Sequence, residues 1–238
     1  MSDLHSRLAA NLSAVQARVV DACARAQRDP ATVKLVAVVK YAEWDWVKAL
    51  IDLGVRDLAE ARPQQLVERS ALLDQEVPHA GVRWHLIGHL QRNKVRPVLP
   101  LAHLIHSLDS LRLAERISQI AGELTVRPHV LLEVNVSGET SKDGFTPEQL
   151  RRDWSAISSL PHLHVAGLMT MAPEGDDPSD ARPTFAGLRD LRDHLASTGT
   201  ATLDELSMGM SGDFEVAIAE GATLIRVGSR LFEGLPNS

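Results

Sequence analysis

The sequence predicts an α/β fold, a (β/α)8 or TIM barrel of parallel strands with one extra N-terminal helix. Two observations carry that expectation. Eight short runs of apolar and β-branched residues recur along the 238 residues, and segments patterned for amphipathic helices separate most of them. Runs that are apolar almost throughout, such as LVAVV and HVLLEVNV, suit parallel strands covered on both faces, whose neighbours need crossover connections. Eight such units in this length close most economically into a barrel. A doubly wound sheet would usually place a G-x-G-x-x-G turn after its first strand, where this chain has Lys40-Tyr41-Ala42-Glu43. Residues 1–238 are therefore read as one barrel domain, with 1–30 forming a helix packed on it.

The first element is that helix. Leu4, Leu8, Leu12, Val15, Val19 and Ala22 share one face, the pattern runs to about Arg28, and Asp29-Pro30 closes it. Strands are expected at Leu35–Val39, Val55–Leu58, Arg83–Ile87, His103–Ser107, Val130–Val136, Val165–Met169, Leu203–Ser207 and Leu224–Val227. Helical patterning falls at Glu43–Leu53, Pro63–Leu73, Ser110–Leu124, Pro147–Leu160, Thr184–Ser197 and Asp213–Glu220. The acidic, turn-rich stretch Ala172–Asp180 reads as a surface loop on the rim where a lid would sit.

Composition excludes several classes. Lys plus Arg number 25 and Asp plus Glu 31, a formal net charge of −6 with a pI near 5.9. A mildly acidic chain with 4% aromatic residues is a poor partner for nucleic acid or anionic lipid. Hydrophobic and charged fractions of 44% and 24% are those of a globular protein. The single Cys23 rules out an intramolecular disulfide framework and a multi-cysteine zinc site. No apolar run approaches the roughly 18 residues of a membrane helix, and the N-terminus lacks a signal-peptide core, so a cytoplasmic location is expected.

In such a barrel chemistry collects at the carboxyl ends of strands. Reading past each run gives Lys40; Glu60; His85 with Gly88 and His89; Ser107 with Asp109; Asn135; Met169 with Thr170; Ser207 with Gly209; and Arg226 with Gly228 and Ser229. A desolvated Lys40 would keep more of its amine neutral for attack on a carbonyl carbon; position alone favours the alternative, a charged lysine snorkelling to the rim, and a cationic neighbour, for which Arg226 is the candidate, would tilt the balance to the first. Leu206–Glu215 combines glycines and hydroxyls ahead of a helix, and Arg226-Val227-Gly228-Ser229 adds a second Gly-Ser pair. Together they suit a phosphate held after the seventh and eighth strands, or else two tight turns. His85 and His89 lie four apart, but Gly88 intervenes, so a hydrogen-bonded histidine is expected rather than a metal pair. His162 and His164, near a strand start, read as structural, and no metal site or hydrolytic triad stands out.

Seven stretches then carry a resemblance over nearly the whole chain: LVAVVK at Leu35–Lys40, WHLIGHLQRNK at Trp84–Lys94, IHSLDS at Ile105–Ser110, LLEVNVSGETSKDGF at Leu131–Phe145, GLMTMAP at Gly167–Pro173, LSMGMSGDFEVAIAEGAT at Leu206–Thr223 and IRVGSRLFEG at Ile225–Gly234. In this order they resemble the pyridoxal 5′-phosphate homeostasis protein family, whose fold is similar to the N-terminal barrel of alanine racemase. The resemblance implies that Lys40 carries pyridoxal 5′-phosphate (PLP) as an internal aldimine. It further implies that Ser207, Met208, Gly209, Gly228 and Ser229 lie on the phosphate side, that Arg226 faces the pyridine nitrogen, and that Glu60, His85, Asn135 and Met169 surround the cofactor. The chain departs from the family at Val39-Lys40-Tyr41, commonly Ser-Lys-Thr, and at Ala59-Glu60-Ala61, commonly Gly-Glu-Asn, where a polar contact beside the cofactor is lost.

A permanently charged arginine at the pyridine nitrogen discourages its protonation, which supports carbanion chemistry poorly. The racemase also uses a tyrosine from a further domain, whereas Tyr41 is the only tyrosine here. The resemblance thus implies a non-catalytic protein that binds PLP in intracellular homeostasis, a monomer serving PLP-dependent apoenzymes, with no nucleic-acid or membrane partner. The alternatives are a weak amino-acid racemase using Lys40 as a base, a Schiff-base lyase acting on a phosphorylated substrate, and a barrel that chiefly binds proteins.

Overall fold

The computed structural model describes residues 3–173, 175–198 and 202–235. Eight parallel strands close into a barrel in chain order: β1 (Lys34–Val38), β2 (Asp57–Glu60), β3 (Arg83–Leu86), β4 (Ala102–Leu108), β5 (His129–Glu133), β6 (His164–Met169), β7 (Glu205–Ser207) and β8 (Leu224–Val227). The seam joins β8 to β1, with Val36 opposite Arg226. Helix α1 (Asp3–Arg25) precedes the barrel, and α2 (Trp44–Asp52), α3 (Pro63–Glu76), α4 (Val95–Val98), α5 (Leu111–Leu124), α6 (Pro147–Ser158), α7 (Arg182–Thr198) and α8 (Phe214–Ala219) follow successive strands.

Side chains alternate across each strand, which sorts the sequence into two layers. Val36, Ala59, Leu104, Leu131, Met169 and Leu224 meet inside the lumen. Their neighbours Ala37, Leu58, Ile105, Leu132, Leu168 and Ile225 turn outward into the main core beneath the helices. The same alternation sends His85, His106, Glu133, Ser207 and Arg226 inward and Glu60 outward. Gly88 marks where β2 and β3 converge: a Cβ there would lie 2.1 Å from the Ala61 carbonyl oxygen, so a side chain is excluded.

The predicted elements keep their types, and the differences lie at their ends and in the connection between β3 and β4. The second strand starts at Asp57 rather than Val55 because Gly54, at φ +92°, and Val55 close the preceding helix, the Val55 N–H reaching the Leu50 carbonyl. The fifth strand stops at Glu133, since the Phe145 N–H donates to the Glu133 carbonyl and the Asn135 N–H to the Phe145 carbonyl, which diverts the chain into a loop. Between β3 and β4 the chain forms a 3-10 turn (Arg92–Lys94) and the one-turn α4, elements too short, with Pro97 inside and Pro100 beyond, to show amphipathic periodicity. The rim stretch Ala172–Asp180 ends in a 3-10 turn (Pro178–Ala181) capped by Asp177; Glu174 lies outside the described residues. Among the described residues no helix is long and apolar enough to cross a membrane.

Helix α1 buries Leu8, Leu12, Val15, Val19, Ala22 and Cys23. It is anchored by polar contacts to the end of the fold: Asn11 donates to the Leu231 and Glu233 carbonyls, and Arg18 Nε donates to Glu215 of α8 at 2.7 Å. Leu8→Ala is therefore expected to cost about 2–5 kcal/mol in urea unfolding. Val20→Ala, at a position 50% exposed on the same helix, should stay within about 0.5 kcal/mol. Both variants and the parent should unfold in one transition; separate melting of α1 would show that residues 1–30 are not integral to the barrel.

Candidate functional site

Lys40 sits half-buried two residues beyond β1, at the carboxyl mouth of the barrel. Its Nζ lies 5.0 Å from the ring centroid of Tyr41, which is 73% exposed. The turn is clamped from outside the barrel. Arg69 of α3 donates Nη1 to the Val39 carbonyl at 2.9 Å and Nη2 to the Ala42 carbonyl at 2.6 Å, while its Nε lies 3.0 Å from Glu60 Oε1. Glu60 is fully buried, and burial pushes its carboxyl up against the pull of Arg69. Its side chain pairs with Arg69 of α3 and also feels the charge of Lys40.

Arg226 stands on β8, the strand paired with β1. It is buried inside the lumen, with Nη1 donating to Ser207 Oγ at 2.6 Å and Nη2 to the Thr170 carbonyl at 2.9 Å. Burial pulls its pKa down to about 10, against the charges of Asp213 and Glu133, which leaves it a cation at neutral pH. Below it, Ser207 Oγ lies 2.8 Å from His106 Nδ1, His106 Nε2 lies 2.9 Å from His85 Nδ1, and His85 Nε2 lies 3.0 Å from Asp57 Oδ1. His85 thus sits deep under the mouth. Glu133 is buried in the upper lumen; burial, then the charges of Asp109 and Asp143, push its pKa up to about 7 despite Arg226.

The turns after β7 and β8 adjoin, because the Gly228 N–H donates to Ser211 Oγ at 3.3 Å. Gly209 holds φ +91°, and a Cβ there would lie 2.6 Å from Ala217 Cβ and 2.9 Å from Phe214 Cα, so α8 can approach only a glycine. Among the described residues the N–H groups of Gly209 and Ser229 take no part in the backbone–backbone hydrogen bonds of the loops. Met208 turns its side chain into the outer core and spends its N–H on the Leu224 carbonyl. The same loop carries an acid: Met210 donates its N–H to Asp213 Oδ1 at 2.6 Å.

The remaining expected residues divide. Met169 lines the lumen, 1% exposed. Asn135 organises the loop beyond β5, with Nδ2 donating to the Glu139 and Lys142 carbonyls and Oδ1 accepting from Ser137 and Gly138. His89 pairs with Asp109 at 3.0 Å on the rim, apart from His85, and among the described residues no cluster of three or more His, Cys, Asp or Glu side chains is placed to hold a metal. Asp57, His106 and Glu133 are not among the residues expected from the sequence, whereas Thr170, expected at the end of β6, gives its carbonyl to Arg226. His106 and Glu133 were visible as polar interruptions in the apolar runs LIHSL and HVLLEV, at inward positions two residues from Leu104 and Leu131.

A closed parallel barrel with a lysine at its mouth, an arginine in its wall and glycine-serine turns after the last two strands defines a class, and comparison with known proteins agrees. The family model described as alanine racemase, N-terminal domain, matches residues 7–236, and the chain belongs to that family. Within it the chain belongs with the pyridoxal phosphate homeostasis proteins: it is 41% identical over 222 residues to that of Aquifex aeolicus, covering 93% of this chain and 95% of the relative. It is 39% identical over 227 residues to that of Pseudomonas aeruginosa, covering 95% of each. PipY of Synechococcus elongatus PCC7942, solved with PLP bound, superimposes with a TM-score of 0.83 at 35% identity, covering 94% of this chain and 99% of PipY. Alanine racemase of Clostridium difficile shares the fold, with a TM-score of 0.69 at 18% identity over 93% of this chain and 57% of the racemase.

The raised pKa of Glu133 has a definite sign. The folded state holds this proton up to about pH 7, whereas the unfolded carboxyl loses it near 4.5, so its contribution to stability falls as pH rises through that window. Glu133→Gln is expected to gain on the parent by on the order of 1–3 kcal/mol between pH 5 and 8 in urea titrations; a constant difference would place the carboxyl outside the lumen.

Proposed function

We propose that this protein binds PLP through Lys40 and serves the intracellular homeostasis of that cofactor without turning over a substrate. PLP presents an aldehyde that condenses with a lysine amine with loss of water, a pyridine ring and a phosphate dianion. The observation that carries the reading is the placement of Lys40 just beyond β1 and of the buried Arg226 on the adjacent β8, beside the two adjoining turns.

Each group has a task. Lys40 supplies the amine and the Arg69–Glu60 clamp fixes its turn. The N–H groups of Gly209 and Ser229 and the Ser229 hydroxyl receive phosphate oxygens, with Gly228 setting the backbone of the second turn. Ser207 and Met208 serve this end from beneath, the first by holding Arg226 and the second by anchoring the turn in the core. Arg226 presents its remaining N–H donors to the pyridine nitrogen, which it keeps unprotonated, so the ring is a weak electron sink. Met169 packs against the ring, while Asn135 and His85 act at one remove, through the β5 loop and the lumen. Ala61 leaves the β2 side of the mouth open and apolar. The protein works in this reading as a cytoplasmic monomer that hands PLP to dependent apoenzymes.

Borohydride reduction after incubation with PLP is expected to add one cofactor mass, mapped by peptide analysis to Lys40, and Lys40→Ala should lose both the adduct and the visible absorbance band. Trapping of a phosphorylated sugar without PLP would favour the lyase, and steady α-proton exchange of alanine abolished by Lys40→Ala would favour the racemase. An adduct on another lysine, or none, would overturn the assignment.

A further inference from the structure

The hydrogen bonds inside the barrel run in one unbroken line from Arg226 near the carboxyl mouth to Asp57 at the floor. Five side chains from β8, β7, β4, β3 and β2 take part, and none but Asp57 exceeds 4% exposure. At the floor, Asp57 also takes a two-pronged contact from Arg83, with Nε at 2.7 Å and Nη2 at 2.5 Å. There a polar cavity of about 290 Å³, lined by Lys34, Asp57, Arg83, His85, His103 and Glu205 among others, opens the line toward solvent.

The two ends dictate the direction of every bond between them. Arginine has donors and no acceptor, and a carboxylate has acceptors and no donor. Ser207 Oγ must therefore accept from Arg226, which leaves its single hydroxyl proton for His106 Nδ1. His106 then carries its proton on Nε2 and donates to His85 Nδ1, and His85 carries its own on Nε2 and donates to Asp57. In this one arrangement each proton is used once and both imidazoles are neutral. The reverse direction would require a doubly protonated His85 and leave the Ser207 hydroxyl proton without an acceptor in the line.

Burial and the neighbouring Arg226 favour a neutral His106. Burial, then His85, Arg226 and His103, hold the His106 imidazole well below its usual pKa. Burial pushes the Asp57 carboxyl up, but bonds from His85 and Arg83 more than offset it and hold it well below the usual carboxylate range. Glu133 faces the same upper lumen through its interaction with Arg226.

We propose that Asp57, His85, His106 and Ser207 form a positioning relay of fixed polarity that orients the Arg226 guanidinium and ties it to the opposite end of the barrel. Resting on the PLP-binding reading, this makes the floor ion pair of Asp57 and Arg83 a determinant of how the pyridine ring is held. The two histidines are positioning residues, acting through Ser207.

Two measurements test it. In 15N NMR of the cofactor-free protein at neutral pH, His85 and His106 should each show one protonated nitrogen, Nε2, with Nδ1 bare; a doubly protonated His85, or a proton on His106 Nδ1, would overturn the relay. Asp57→Asn, four hydrogen bonds from Arg226, should shift the absorption maximum of bound PLP and weaken its binding about 3- to 10-fold. Lys34→Gln, which breaks the neighbouring floor pair with Glu205, should change neither. Asp57→Asn behaving like the parent in both respects would also overturn the relay. A parent protein that takes up no PLP would count against the proposed function instead, and the tautomers would still decide the relay.

Discussion

A buried cation governs this molecule. Arg226 is removed from water at the centre of a closed barrel, and a charge so placed is tolerated only if fixed dipoles and opposite charges replace its hydration. The Thr170 carbonyl and the Ser207 hydroxyl supply the direct bonds, and Asp213 and Glu133 supply the compensating field. Each compensating group then needs its own partner. Thr170 Oγ1 donates to the Val134 carbonyl, Ser207 engages His106, and Asp213 accepts from Met210 in the turn after β7. The polar interior thus follows from one arginine at an inward position of the last strand.

The mouth is built by separating scaffold from contact. Outward residues such as Glu60 and Met208 never reach the lumen, yet they fix the backbone that does: Glu60 through Arg69 and the carbonyls flanking Lys40, Met208 through the core beneath the β7 turn. Strand alternation makes this division unavoidable, because consecutive residues at a strand end face opposite layers. A residue beside a site in sequence is therefore as often its foundation as its wall.

The same alternation explains what was legible in the sequence. Strand number, parallel order and the preceding helix follow from hydrophobic runs and helical periodicity, which local burial writes directly into the chain. Lys40, Arg226 and the two turns were legible because they end apolar runs at the face where such barrels carry their sites. His85 was noticed for its spacing from His89, whereas the structure joins it to Asp57 and His106, partners 28 and 21 residues away, and the Ser207 contact with His106 spans 101 residues. Pairings of that range are set by barrel closure, which no local pattern encodes. Glu60 closes β2 and Asn135 follows β5 as their runs suggest, but the direction of their side chains depends on where those strands end, and strand ends are decided by loop hydrogen bonds.

Family membership and the geometry of the mouth meet in two residues on adjacent strands, Lys40 just beyond β1 and Arg226 on β8. A high-resolution crystal structure of the protein grown with PLP tests their joint role most directly. The expected result is continuous density from Lys40 Nζ to the cofactor, the phosphate against Gly209 and Ser229, and Arg226 facing the pyridine nitrogen while still bonded to Ser207 and Thr170. Density on another lysine, or a ring whose nitrogen points away from Arg226, would contradict it.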